Sequence, residues 1–172
     1  MLKMLGIILL LAGSTGVAWS YCNEEKERIR QIKEIKQIYH LAQNEMIYAK
    51  AAIPDLCQCL SAKAAPPYAG AFAEIYQEMN KNNGSSFAEI WQVVMTKNMA
   101  STRLRAEERK LLLDFPECLG YLDKEGQAES LERYIVEADR ISNDLEKEVA
   151  GRTKVIMSCG IMGGILMVIL LL

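Results

Sequence analysis

Residues 123–172 read "DKEGQAESLERYIVEADRISNDLEKEVAGRTKVIMSCGIMGGILMVILLL". Asp123 is a residue type that accepts hydrogen bonds from the first N–H groups of a helix. Behind it Leu131, Ile135, Ala138, Ile141, Leu145 and Val149 recur at spacings of three or four, which is one face of a helix. No proline interrupts the run before Leu172, so the pattern predicts one helix of about 50 residues. Its chemistry changes part-way. Charges of both signs alternate as far as Lys154, whereas Val155 to Leu172 contains no Asp, Glu, Lys, Arg or His. At 1.5 Å rise per residue that apolar end spans roughly 27 Å, close to the thickness of a bilayer's hydrocarbon core. Gly151 falls near the change and is expected to soften the junction.

The other end of the chain repeats the pattern. Met4 to Asn23 is likewise free of acidic and basic side chains and would span roughly 30 Å as a helix. Nearly all the charge of the 172 residues, −2 in sum, therefore lies between two apolar blocks. The expectation is three parts: an N-terminal transmembrane helix over 1–22, a helical-bundle domain over 23–153 large enough for its own core, and a C-terminal transmembrane helix over 154–172. Lys26, Arg28, Arg30, Lys33 and Lys36 lie just after the first block, against Lys3 alone before it, and Arg152 and Lys154 precede the second. Basic residues are retained on the cytoplasmic side, so both blocks put the middle domain in the cytoplasm. A cleavable signal peptide ending near Ala18-Trp19-Ser20 is the competing reading of the first block. The basic cluster beyond it argues for retention.

Between the blocks the periodicity is helical throughout. Ile29, Ile32, Ile35, Ile38, Tyr39, Ala42, Met46 and Ala49 form a stripe whose opposite side carries Glu27, Glu34 and Glu45 among Arg30, Lys33 and Lys36, a pattern expected of a solvated face. Pro54 should stop this helix near Ile53 and open a short second one, "PDLCQCLSAKA". "APPYAG" breaks the chain before a third helix with Phe72, Ile75, Tyr76 and Met79 on one side. Ser86 and Glu89 form a capping box for a fourth, with Phe87, Ile90, Trp91 and Val94 as its buried stripe. A fifth runs through "AEERKLLLDFPECL" with Leu111, Leu112 and Phe115 apolar, and Pro116 either bends it or marks its end. No segment alternates as a half-buried strand does. The fold class expected is all-α: an antiparallel bundle of about six helices between the two transmembrane helices.

Residues for catalysis are missing. There is no GxxxxGK[ST] to cradle phosphates and no GxGxxG after a strand. HExxH is absent too, and His40 is the single imidazole, placed where helix packing or surface exposure explains it. Glu24-Glu25 and Glu107-Glu108 read as charges at helix N-termini. Five irregularly spaced cysteines cannot form a complete disulfide framework, and Cys57-Gln58-Cys59 lacks the partners of a zinc site. Alternating charge and a slightly acidic balance argue against nucleic acid. The expectation is no catalytic residue, no cofactor and no metal. Membrane lipid is the expected environment of the apolar ends, where Ala12, Gly13 and Gly16 in the first and Gly160 and Gly164 in the second give small-residue ridges for helix pairing within one chain or in a homo-oligomer.

The opening "MLKMLGIILLLAGSTG", then "NEMIYAKAAIPDL", "LGYLDKEGQAESLERYI" and the terminal "GIMGGILMVILLL" together resemble the stage III sporulation protein AB family of endospore-forming bacteria. That family looks like a single-domain relative of the F-protein, the inner-membrane platform of type II secretion and type IV pilus machines, whose cytoplasmic domains are six-helix bundles. The resemblance implies a two-pass protein of the mother-cell membrane facing the forespore. It also implies a secretion-type ATPase as cytoplasmic partner and sister membrane proteins of the same complex. Glu45 and Tyr48 in the second motif, and Gly120, Asp123 and Gln127 in the third, are the partner-contact candidates it singles out, although a cap at Asp123 or a helix stop at Gly120 would account for those positions structurally. A membrane-anchored helical adaptor recruiting a soluble partner is the alternative function.

Overall fold

The computed structural model describes the backbone of residues 2–81, 84–119 and 124–171 and, within these, the side chains other than those of 2–12, 14–15, 17–19, 21–22, 124–125, 157, 160–161 and 164–171. Among the described residues seven α-helices occur in order: α1 (Leu2–Gln43), α2 (Ile53–Lys63), α3 (Tyr68–Asn80), α4 (Phe87–Met99), α5 (Ala106–Leu113), α6 (Phe115–Leu119) and α7 (Lys124–Leu171). A π-helical turn, Asn44–Tyr48, closes α1. No strand occurs among the described residues, in agreement with the all-α expectation. Two compact units divide the chain: residues 1–29 with 143–172, and residues 30–142. The division falls inside α1 and inside α7. Among the described residues no helix is long and apolar enough to cross a membrane.

In the 30–142 unit, α1 supplies a buried row made of Ile32, Ile35, Ile38, Tyr39 and Ala42, as its spacing predicts. The stripe fails beyond Gln43. Met46 is half-buried and Ala49 exposed, because the π-turn adds a residue to the helical turn and rotates the positions beyond it. The face expected to be solvated also differs from the expectation. Glu34 accepts a hydrogen bond from the Ala65 N–H at 2.7 Å, Gln31 accepts one from the Arg103 N–H at 3.0 Å, and Lys36 pairs with Asp139 of α7. Glu34 and Gln31 thus give partners to N–H groups in the loops after α2 and α4, while Lys36 ties α1 to α7. Glu24 and Glu25 are not N-terminal charges, since α1 begins at Leu2; Glu25 is 3.0 Å from Arg28, one turn on.

Ser86 and Glu89 cap α4 reciprocally, the Glu89 N–H donating to Ser86 Oγ at 3.3 Å and the Ser86 N–H to Glu89 Oε2 at 2.8 Å. Trp91 and Val94 of the expected stripe are buried with Met95 and Met99, while Phe87 and Ile90 are half-buried. On α3, Phe72 and Ile75 are buried and Tyr76 and Met79 half-buried. Glu108 joins Leu111 and Leu112 among the buried residues of α5 because its carboxylate accepts the Arg105 N–H at 2.8 Å. On α7, Leu131, Ile135 and Ala138 are buried in this unit. In the other unit Leu145 and Val149 continue that face and Arg28 is buried from α1.

Pro116 ends one helix and starts another. Lacking an N–H, it cannot donate to the carbonyl four residues earlier, Leu112. Trp91 Nε1 of α4 takes that place at 2.8 Å. On either side, Tyr39 Oη of α1 donates to Leu111 O and Gln92 Nε2 to Leu113 O at 2.9 Å. Three consecutive carbonyls at the α5–α6 corner thus receive side-chain donors from two other helices. The same rings pack on one another: Trp91 stacks on Phe115 at 4.7 Å, Tyr39 tilts against Phe115 at 5.4 Å, and Tyr134 of α7 stacks on Tyr39 at 5.4 Å. Burial, with Cys118 and Asp114 nearby, holds the Tyr39 phenol well above its ordinary pKa, so it remains a donor.

Tyr39→Phe removes one hydroxyl and leaves the buried Leu111 carbonyl without its donor. The expected loss is about 1–3 kcal/mol of unfolding free energy, read as a lower denaturation midpoint with an unchanged slope.

Candidate partner-docking site at the end of α1

The motif "NEMIYAK" folds into an uncommon helix terminus. The Ala49 N–H reaches back five residues to Asn44 O at 3.3 Å, and the Ala51 N–H six residues to Glu45 O at 3.0 Å. This is a Schellman-type closure widened by one residue, and the residue that reverses the chain is Lys50 at φ 53°. Glycine normally occupies that place. A lysine there costs about 1 kcal/mol against its Cβ, and local strain of this kind concentrates at functional positions. Ala52 then runs extended into α2, with Pro54 inside its first turn.

Glu45 lies on the π-turn and is bound from α2. Cys59 Sγ donates to Glu45 Oε1 at 3.0 Å, and Lys63 Nζ donates to the same oxygen at 3.0 Å. The Cys59 bond and the Lys63 ammonium lower the Glu45 pKa, while the carboxylate raises that of Lys63. Cys57 faces the core instead, where burial pushes its thiol up to about 12. The two sulfurs of Cys57-Gln58-Cys59 therefore go to different surroundings, as positions two apart on a helix must.

Next to the π-turn is a cleft of about 240 Å³ lined by Met46, Lys50, Ala51, Ala52, Ile53, Leu119 and Gln127. Tyr48, on the same turn, is 79% exposed. The structure thus gathers the two motifs, about 80 residues apart, at one place: Gln127 of the "DKEGQ" segment lines the cleft that Met46 and Lys50 of the "NEMIYAK" segment also line. Gly120 and Asp123 lie outside the described residues. Of the small-residue ridges, Gly13 and Gly16 have nothing within 4 Å of where a Cβ would stand. Ala12, Gly160 and Gly164 belong to α1 and α7, but their surroundings lie outside the described residues. His40 is exposed. Lys50, Cys59 and Lys63 were not legible as site residues; the one signal was a lysine where the chain must turn without a glycine.

Two larger clefts of about 410 and 340 Å³ share Tyr134 and Glu137. Part of their charge is committed. Glu137 is gripped twice by Arg140, at 2.9 and 2.6 Å, and Glu108 caps α5. Among the described residues no group of three or more His, Cys, Asp or Glu side chains could hold a metal ion.

The family model described as Stage III sporulation protein AB (spore_III_AB) matches residues 3–172. The chain belongs to the stage III sporulation protein AB family. A relative, the stage III sporulation protein AB of Bacillus subtilis (strain 168), is 24% identical over 172 residues, covering the whole of both chains. A solved structure of a stage III sporulation protein AB (SpoIIIAB) superimposes with a TM-score of 0.65 at 21% identity, over 72% of this chain and 97% of that one. That likeness shows a shared helical-bundle fold. The family is a sporulation family and not a known enzyme family.

Replacing Lys50 by glycine should remove the left-handed strain and raise stability, by up to about 1 kcal/mol after the added freedom of the unfolded chain is set against it. A thermal melt of the purified protein checks this. Glu45→Gln tests the ionic cluster. A carboxylate whose folded pKa is lowered contributes stability that is present above its unfolded pKa and lost as pH falls through its folded value. The variant's melting temperature should therefore fall below wild type near neutral pH, and the gap should close in acid.

Proposed function

We propose that this protein is a non-enzymatic membrane platform component of the sporulation channel, a secretion-like complex linking mother cell and forespore, and that it couples a cytoplasmic secretion-type ATPase to membrane components. The observation that carries the reading is α7, an unbroken helix from Lys124 to Leu171 that contributes to the bundle at one end and to the apolar C-terminal block at the other. A continuous helix transmits displacement where a flexible linker absorbs it. Family membership supports the place in sporulation. The two apolar blocks, 4–23 and 155–172, support a two-pass anchor in the mother-cell membrane facing the forespore, and the flanking basic residues support a cytoplasmic bundle. With no nucleotide-binding motif in the sequence, the energy source has to be a partner. Membrane lipid, sister membrane proteins and further copies of the chain are the partners proposed for the apolar ends, where Ala12, Gly13, Gly16, Gly160 and Gly164 allow close helix packing. Glu45, Tyr48, Gly120, Asp123 and Gln127 are the proposed partner contacts, which makes the end of α1 a partner-docking site.

A flexible Gly-Ser insertion at Gly151 should sharply reduce the yield of heat-resistant spores while leaving the protein's abundance unchanged. Normal sporulation in that strain would instead favour a membrane-anchored adaptor that transmits no force. Orientation has its own check. Cys57 and Cys118 are buried whereas Cys59 is half-buried and Cys159 exposed, so a single reporter thiol is introduced at Val93, 70% exposed on α4, with Cys22, Cys59 and Cys159 replaced by serine. Val93→Cys should be labelled in opened cells and not in intact ones.

A further inference from the structure

We propose that the cleft beside the π-turn is a socket for a glutamate side chain on an otherwise apolar segment of a partner protein, with its carboxylate paired to Lys50 and its stem seated against Met46, Ile53 and Leu119. This inference rests on the partner-docking role proposed above and names the chemistry of the partner. At about 240 Å³ the cleft is smaller than the roughly 300–1,000 Å³ of ordinary small-molecule sites, so an inserted side chain fits it better than a metabolite. Among the described residues its lining is apolar or uncharged except at Lys50. Lys50 has no carboxylate partner among the described residues; of the two acids five residues from it, Asp55 lies in the first turn of α2 and Glu45 is held by Cys59 and Lys63 at 3.0 Å each. The cleft therefore offers one cation at an apolar wall, and its charge complement is a single carboxylate on an apolar stem.

The backbone is arranged for this beforehand. The Ala49-to-Asn44 and Ala51-to-Glu45 bonds hold Lys50 in its left-handed conformation, so its geometry is set before a partner arrives. Glycine would close the same turn without strain, yet would present no charge. Tyr48, 79% exposed on the same turn, adds the type of aromatic anchor enriched at protein interfaces.

The test uses the full-length protein in sporulating cells of its host, with spore yield after heating and protein abundance measured together. Lys50→Glu should lower heat-resistant spores by about tenfold or more at normal abundance, since it sets like charges against each other. Lys50→Gly should also lower them although it folds at least as stably, and Lys50→Arg should stay within about twofold of wild type because it keeps the charge. Revertants selected from the Lys50→Glu strain should carry a glutamate-to-lysine or glutamate-to-arginine change in a second protein. Wild-type sporulation by Lys50→Glu overturns the proposal. So does a revertant set in which the compensating change lies at a carboxylate of this chain, or in which no acid-to-base exchange occurs in another protein. The two proposals fail separately. A harmless insertion at Gly151 with a defective Lys50→Glu strain removes force transmission and keeps the socket, whereas the opposite pair of results removes the socket alone.

Discussion

Leu111, Leu112 and Leu113 present three carbonyls in a row at the end of α5, and the protein is organised around satisfying them. An uninterrupted helix would have paired each with an N–H four residues later, but Pro116 has none to give and α6 starts afresh at Phe115. The donors come from elsewhere: Tyr39 on α1, and Trp91 and Gln92 on α4. A buried carbonyl without a partner is costly, so the Leu111 and Leu112 carbonyls favour docking of α1 and α4, while Gln92 meets Leu113 in an exposed bond. The aromatic rings that carry two of these donors also fill the space between helices, with Phe115 stacked on Trp91 and Tyr134 on Tyr39. Hydrogen bonding and packing are thus supplied by the same side chains, and α7 is fastened to the arrangement through Tyr134.

α1 serves the bundle on two sides. Its isoleucines enter the core, while Gln31 and Glu34 reach out to loop N–H groups and Lys36 to Asp139 on α7. A helix with so many tertiary partners has little freedom to shift, which makes its C-terminal end a fixed platform. Strain occurs at that end, at Lys50, where the widened helix closure obliges a lysine to adopt a conformation suited to glycine. Strain of this kind persists only where the surrounding structure over-determines the residue.

Among the described residues, no shifted titratable group needs a catalytic explanation. The titratable groups with shifted pKa values are explained by burial, as at Cys57 and Tyr39, or by local ion pairs, as at Glu45 and Lys63. This accords with its membership of a sporulation family that is not a known enzyme family.

The sequence by itself determined the all-α class, the cap at Ser86, the break at the two prolines before Tyr68, and most of the buried rows of α1 and α7, of which Ile29 and Ile141 are only half-buried. Each is a local matter of spacing or of one residue's hydrogen-bonding chemistry, legible without knowing what lies opposite. It also carried the family, because the order of several short motifs survives where no single motif is specific. Only the tertiary structure decided the features that depend on a neighbour distant in the chain. Periodicity could not show that Pro116 would start a helix instead of bending one, since that turned on Trp91 being there to donate. Nor could it show that Glu34 and Lys36 would leave the solvated face, or that a π-turn would rotate Ala49 out of the stripe. The candidate site belongs to this second group: Glu45 and Tyr48 were visible as parts of a motif, but Cys59, Lys63 and the cleft shared with Gln127 came into being only when α1, α2 and α7 met in space.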